Sequence, residues 1–177
     1  TSKNDFEKAL EVNAIAEKLA LEKFDSISIL YGSVCFNRAR VSHLKGDIHD
    51  SEVNYLKVKF IQEKVIGREN SVYALTLNHL GLLYSDMDNY EKAEIFLLEA
   101  LAIRKRVIGK QHIDYAKNLN NLGRLYCDLG KFEKAEPFNL EAKLIIEEAI
   151  GKDDIEYVLC LTNLGLLYSD MGNYEKA

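Results

Sequence analysis

Apolar residues recur along the chain at i, i+3, i+4 and i+7, the spacing that lines one face of an α-helix. Leu77, Leu80, Gly81 and Tyr84 define one such helix, and Tyr90, Ala93, Leu97, Ala100 and Leu101 define the next. Glycine and asparagine punctuate the pattern. Gly67, Gly109 and Gly151 follow Ile66, Ile108 and Ile150 where a helix must stop, Gly130 and Gly172 fall where a turn needs a left-handed residue, and Asn89 and Asn173 stand where a side chain caps the next helix. Read this way, the chain predicts eight helices, at 5–23, 26–44, 48–66, 71–86, 90–107, 113–128, 132–149 and 155–170, and no strand.

The helices come in pairs, and the pairs repeat. LNHLGLLYSDMDNYEKAE at 77–94 returns as LNNLGRLYCDLGKFEKAE at 119–136 and as LTNLGLLYSDMGNYEKA at 161–177, 42 residues apart each time. A fixed period of this length means an array whose units bury their apolar faces only against one another. One period earlier a degenerate copy keeps Tyr31, Gly46, Ser51 and Gly67 in register with Tyr73, Gly130, Ala93 and Gly109, but carries Arg38, Ala39 and Ser42 where Leu, Gly and Tyr stand later. That repeat is expected to pack least like the others. DFEKA at 5–9 steps back once more, so 5–23 reads as the second helix of a preceding unit. Gly81, Gly123 and Gly165 each cost about 1 kcal/mol in mid-helix relative to alanine. The expected reason is close approach of the pair's second helix, with Ala93 and Ala135 as its matching small surface.

The string L-G-x-x-Y-x-x-x-G-x-Y/F-x-x-A resembles the tetratricopeptide repeat (TPR) signature over the whole chain. The 42-residue period and the LNNLG phrase resemble its kinesin-light-chain-like subclass. The resemblance implies an all-α fold, an α-solenoid of tandem helix-turn-helix repeats forming a right-handed superhelix. Its A helices would line a concave groove and its B helices a convex back. The organisation implied is a single array over 1–177 and a fragment of a longer one: helix B of a preceding repeat at 5–23, repeats at 26–66, 71–107 and 113–149, and a partial repeat at 155–177. Two departures stand out. The subclass opens helix A with His-Pro, where this chain has Asn70-Ser71, His112-Ile113 and Asp154-Ile155, and the tryptophan of standard repeats is replaced by Leu77, Leu119 and Leu161.

Counted from the mid-helix glycine, the resemblance puts groove-facing positions three residues before it and one, four and five after it. The first holds Phe36, Asn78, Asn120 and Thr162, the second Arg40, Leu82, Arg124 and Leu166, and the last Leu44, Asp86, Asp128 and Asp170. The candidate peptide-binding residues are therefore Asn78, Asn120, Arg124, Arg40, Thr162, Leu82 and Leu166. A carboxamide offers a donor and an acceptor to a peptide backbone, and a guanidinium grips a carboxylate as a fixed fork. The competing expectations are solvated asparagines and arginines paired with Asp86 or Asp128. Asn121 and Asn163 are expected to lie against neighbouring helices. Asp86, Asp128 and Asp170, at helix C-termini where the dipole disfavours them, are expected to pair with cations of the next repeat. The Lys and Asn with which chaperone-tail-binding TPR domains hold a carboxylate are absent from the matching positions, which disfavours that ligand.

Composition narrows the function. Lys and Arg number 23 against 28 Asp and Glu, a net charge of −5, which disfavours nucleic acid as a partner. Three cysteines, Cys35, Cys127 and Cys160, with no N-x-S/T sequon, fit a reducing compartment. No apolar run reaches the ~20 residues of a membrane span and no signal-peptide core is present, so a cytoplasmic chain without a membrane partner is expected. No histidine pair, phosphate loop or nucleophile elbow occurs, so neither metal nor cofactor is expected, nor catalysis within this chain. The leading expectation is a protein–protein interaction scaffold binding a peptide, acidic if the arginines are used, as the recognition or regulatory part of a larger protein. The alternatives are a sensor array controlling an attached catalytic domain, such as a caspase-like CHAT protease, and a structural solenoid that associates end to end.

Overall fold

The computed structural model describes residues 3–172, with side chains from Asp5 onward. Its helices are α1 (Lys3–Lys23), α2 (Ile29–Lys45), α3 (Ile48–Val65), α4 (Ser71–Asp86), α5 (Tyr90–Val107), α6 (Ile113–Asp128), α7 (Phe132–Ile150) and α8 (Ile155–Asp170). The largest departure from the expected limits is at α2, which begins three residues late because Ser28 stays extended and its hydroxyl caps Tyr31 N at 3.2 Å. Where the resemblance expects proline at the start of helix A, side chains do the work instead. Asn70 Oδ1 accepts from Val72 N at 2.8 Å, His112 Nδ1 from Asp114 N at 3.1 Å, and Asp154 Oδ1 from Glu156 N at 2.9 Å. Asn89 caps α5 through Lys92 N at 3.3 Å, while Asn173 lies outside the described residues. Gly46 and Gly130 take φ of 84° and 65° in their A-to-B turns, Gly172 takes 69° at the matching position after α8, and Asp88 fills the position between the first two with φ 56°. Aspartate tolerates that region better than most side chains.

The A and B helices pair as α2/α3, α4/α5 and α6/α7, and each B helix packs on the next A helix. α4 meets α6 and α6 meets α8, whereas no B helix makes comparable contact with the next, so the A helices form the inner layer. One apolar core runs through the stack from Ala39 to Tyr168. The expected close approach is present, with a different partner. A Cβ on Gly81 would lie 2.6 Å from Leu97 Cγ and 3.3 Å from the Ala93 carbonyl oxygen, and one on Gly123 would intrude on the Asn139 carboxamide, 2.5 Å from its Cγ. The B-helix side chain four residues beyond the small alanine occupies the space the glycine leaves.

One turn further on, the repeated tyrosine ties three helices together. The hydroxyls of Tyr84, Tyr126 and Tyr168 donate to Glu52, Glu94 and Glu136 of the preceding B helix at 2.5, 2.6 and 3.0 Å. The rings of Tyr84 and Tyr126 stack on Phe96 and Phe138 of their own repeat's B helix, with centroids 5.5 Å apart. Burial, reinforced by the carboxylate, pushes Tyr84 and Tyr126 up to about 12. The degenerate repeat lacks this rung because Ser42 replaces the tyrosine. In its place Arg38 donates to Asp50 at 3.1 and 2.9 Å and to Glu17 at 3.2 Å, and Ser42 donates to Asp50 at 2.5 Å, which links α1, α2 and α3 ionically.

Two residues break the pattern inside the core. Asn139 stands where the preceding repeat has Leu97, fully buried, and neither its Oδ1 nor its Nδ2 has a partner among the described residues. A buried unsatisfied amide costs about 1–3 kcal/mol. Asn139→Leu is therefore expected to raise the melting temperature by about 2–12 °C, on the scale of roughly 2–4 °C per kcal/mol for a chain of this size. An unchanged or lowered value would mean that the carboxamide is satisfied.

His79 is packed edge-on to Phe36 at 5.2 Å and stacked on Tyr55 at 5.5 Å. Burial first, then repulsion from Arg40, His43 and Arg104, pushes its pKa down to about 4. An unfolded histidine titrates near 6.5, so as pH falls the unfolded chain takes up this proton before the folded one. The stabilisation is complete above about 6.5 and lost as pH falls toward 4. In denaturant titrations the wild type is expected to lose midpoint steadily over this window. His79→Phe should be flatter there and show the same pH dependence as wild type above pH 7; parallel curves throughout would contradict the assignment.

Candidate functional site

The inner surface of α4, α6 and α8 is tied together by a ladder of carboxamides. Asn121 Nδ2 donates to Asn78 Oδ1 at 2.9 Å, and Asn163 Nδ2 donates to Asn120 Oδ1 at 3.0 Å. Each bond joins one A helix to the next across 43 residues. The same rung in the first repeats is filled by the Phe36 and His79 rings. Asn121 and Asn163 thus lie against the neighbouring helix as expected. Asn78 and Asn120 each use their carboxamide oxygen in the ladder, while their Nδ2 groups make no hydrogen bond among the described residues.

Beside this ladder lies a pocket of about 430 Å³ lined by Asn78, His79, Arg104, Lys117, Asn120 and Arg124, with Asn121, Asn163, Asp114, Glu156, Leu75 and Leu159 completing its wall. Three of the seven candidate residues, Asn78, Asn120 and Arg124, share it. Asn78 is buried, which the reading of an open stripe did not foresee, while Asn120 is half-buried and Arg124 exposed. The other four stand apart. Arg40 is exposed and borders a depression at the α1–α2 junction with Val12, Val34 and Leu44. Leu166 is 60% exposed and borders a smaller hollow with Cys127 and Asp170. Leu82 is half-buried, and Thr162 donates its hydroxyl to Val158 O at 2.9 Å within its own helix.

The rim at the helix C-termini is electrostatically linked. Asp86 sits 2.8 Å from His43 Nε2 of the preceding repeat and 3.4 Å from Arg124 Nη2 of the next, and Arg124 Nε is 3.9 Å from Asp128. The expected pairing of Asp86 with a cation of the following repeat is therefore made. Such exposed pairs are worth about 0–1 kcal/mol, so a ligand's acid can replace Asp86 at Arg124 at little cost.

Arg104, on the B helix α5, was not among the sequence candidates. It is 3% exposed and its Nη1 donates to the Asp114 carbonyl at 2.7 Å. Burial pushes its pKa below the usual guanidinium value, with Asp114 offsetting part of the effect. A signal was available, since a charged residue stands on the apolar face of the helix where the neighbouring repeats carry Gln62 and Ile146. The thiols stay protonated: burial pushes Cys127 and Cys160 up to about 11 and raises Cys35. Among the described residues no group of three or more His, Cys, Asp or Glu side chains is arranged to hold a metal ion, and no helix is long and apolar enough to cross a membrane.

A tetratricopeptide repeat sequence profile matches residues 26–106, 72–143 and 114–177. No curated protein matches the chain. Among solved structures, BtubC (BKLC) from P. vanneervenii is similar with a TM-score of 0.85 and 25% identity, covering 98% of this chain and 69% of that one. Two structures of a Podosopora anserina protein assigned to the kinesin light chains, built of nearly identical TPR-like repeats, give TM-scores of 0.81 and 0.79 at 16% identity, each covering 98% of this chain and 82% of that one. The period, the glycine-centred helix pairs, the inner layer of A helices and these matches agree: the chain belongs to the tetratricopeptide repeat family and folds as a right-handed α-solenoid similar to the kinesin-light-chain-type arrays.

Proposed function

We propose that this array recognises an extended segment of a partner protein laid across the inner face of α4, α6 and α8. TPR arrays are in general protein–protein interaction scaffolds, and the finer reading rests on one observation. The Nδ2 groups of Asn78 and Asn120 remain available beside a pocket shared by three consecutive A helices. Packed helices lie about 8–10 Å apart, and an extended peptide advances about 3.3 Å per residue, so the two donors span about three residues of a bound segment. The ladder contributes by fixing the oxygens, which turns each carboxamide so that its donor is the free end. Arg124, Arg40, Leu82, Leu166 and Thr162 are the candidate secondary contacts. A reducing cytoplasm suits the three free cysteines, and the role proposed is recognition or regulation within a larger protein.

The test begins with peptides selected against the protein by display, followed by calorimetry on variants. Asn78→Ala and Asn120→Ala each remove a ligand bond worth about 0.5–1.5 kcal/mol, which is about 2- to 12-fold in affinity. Asn121→Ala breaks the same rung from the other side while sparing Asn78 Nδ2, and is expected to weaken binding less than Asn78→Ala. Affinity unchanged in all three variants, with folding intact, would move the interface off the inner face.

A further inference from the structure

Of the three cations that line the inner pocket, two are balanced. Lys117 Nζ lies 2.7 Å from Glu156, and Arg124 Nη2 lies 3.4 Å from Asp86. Arg104 is the third, and it is the most buried of them, with no carboxylate within 4.0 Å among the described residues. Its single hydrogen bond runs to the Asp114 backbone carbonyl, although a guanidinium carries five N–H donors. The Asp114 carboxylate is felt but stands outside pairing distance. A desolvated cation without a counter-charge is costly to fold around, and the cost is recovered only when an anion meets it.

The fold does not need the charge. In the preceding repeat the same position is Gln62, neutral, whose Oε1 accepts from Thr76 Oγ1 at 2.8 Å, and in the following repeat it is Ile146. The position therefore tolerates a neutral amide or an alkyl chain within one array, and the guanidinium is an addition at the one repeat where this position lines the inner pocket. Its planar fork suits two carboxylate oxygens, and the pocket's other acids are occupied or solvated.

We propose that Arg104 is a carboxylate subsite of the inner groove, receiving one acidic group of the bound segment, either an Asp or Glu side chain or a C-terminal carboxylate. The proposal rests on the reading that the inner face binds a polypeptide, and it adds which chemical group that polypeptide must supply and where.

The Nε–Hε signal of Arg104, identified in the nitrogen-15 spectrum of the full chain by its loss in Arg104→Gln, reports the site without a known partner. The probes are N-acetylglutamate α-amide for a side-chain carboxylate, N-acetylglycine for a terminal one, and N-acetylglutamine α-amide as the neutral control. A saturable shift with an acid and none with the amide is expected, and the tighter of the two acids identifies the source. No saturable shift with either acid, or an equal shift with the amide, overturns the proposal. With a display-selected peptide, Arg104→Gln is expected to weaken binding about tenfold or more, and the loss should vanish when the peptide's acid is replaced by its amide. Peptide binding that Arg104→Gln leaves unchanged removes this subsite and keeps the groove. A carboxylate shift at Arg104 with every selected peptide indifferent to Asn78→Ala and Asn120→Ala keeps the subsite and removes the groove reading. Gln62 is the internal precedent that the variant folds, and its melting temperature checks this.

Discussion

The array depends on the space that a mid-helix glycine of an A helix leaves for a side chain of its own B helix. Leu97 occupies the space a Cβ on Gly81 would need, and Asn139 does the same against Gly123. Gly in a helix interior is unfavourable by about 1 kcal/mol, so the sequence bears this cost in order to bring the two helices together. The approach sets the tilt of each pair, and the tilt sets how the next A helix meets the B helix before it. Because a repeat touches only its neighbours, an error in one pair is passed along the stack rather than corrected from a distance.

Two sets of polar bonds then hold the pairs in register. On the outer side of the A helices Tyr84, Tyr126 and Tyr168 each reach back to a glutamate of the preceding B helix, and the first two lay their rings flat on a phenylalanine of their own. On the inner side the carboxamide ladder joins A helix to A helix. The second set matters for function because it is made from the residues that line the groove. Side chains that fix the spacing of the A helices also aim their remaining donors, so the recognition surface is preorganised by the same bonds that set the superhelix. Arg124 and Asp86 extend this linkage to the rim, where a bond in water is weak enough to exchange for a ligand.

Much of this was legible in the sequence, and what escaped did so for physical reasons. Helix limits were readable because the stop and start chemistry is local: Gly130, Gly172 and Asn89 act within a turn of where they stand. The close approach at Gly81 and Gly123 was readable because a helical glycine needs an external cause, although the expected partner alanines proved to be neighbours of the actual one. The ladder was hidden, since it joins residues 43 apart while the repeat aligns residues 42 apart, and an offset of one is invisible to an alignment of like with like. Asn78 was expected on an open face and is buried for the same reason, its neighbour in the next repeat covering it. Arg104 was legible only as a charge in the core phase of its helix, which marks it as unusual without assigning it to a groove lined by the A helices. The ionic network at Arg38 was foreseen only as a departure, because the acids that satisfy it come from α1 and α3.

The glycine contact is tested most directly by a size-exchange cycle at Gly81 and Leu97, measured as unfolding free energies of the two single variants and the double variant. In an unconstrained helix Gly81→Ala would stabilise by about 1 kcal/mol. Against Leu97 it is expected to destabilise by about 1–3 kcal/mol through overpacking, and in a Leu97→Ala background that penalty should disappear or reverse sign. The same effect of Gly81→Ala in both backgrounds, or stabilisation in the wild-type background, would contradict the account that the helix pair is set by this contact.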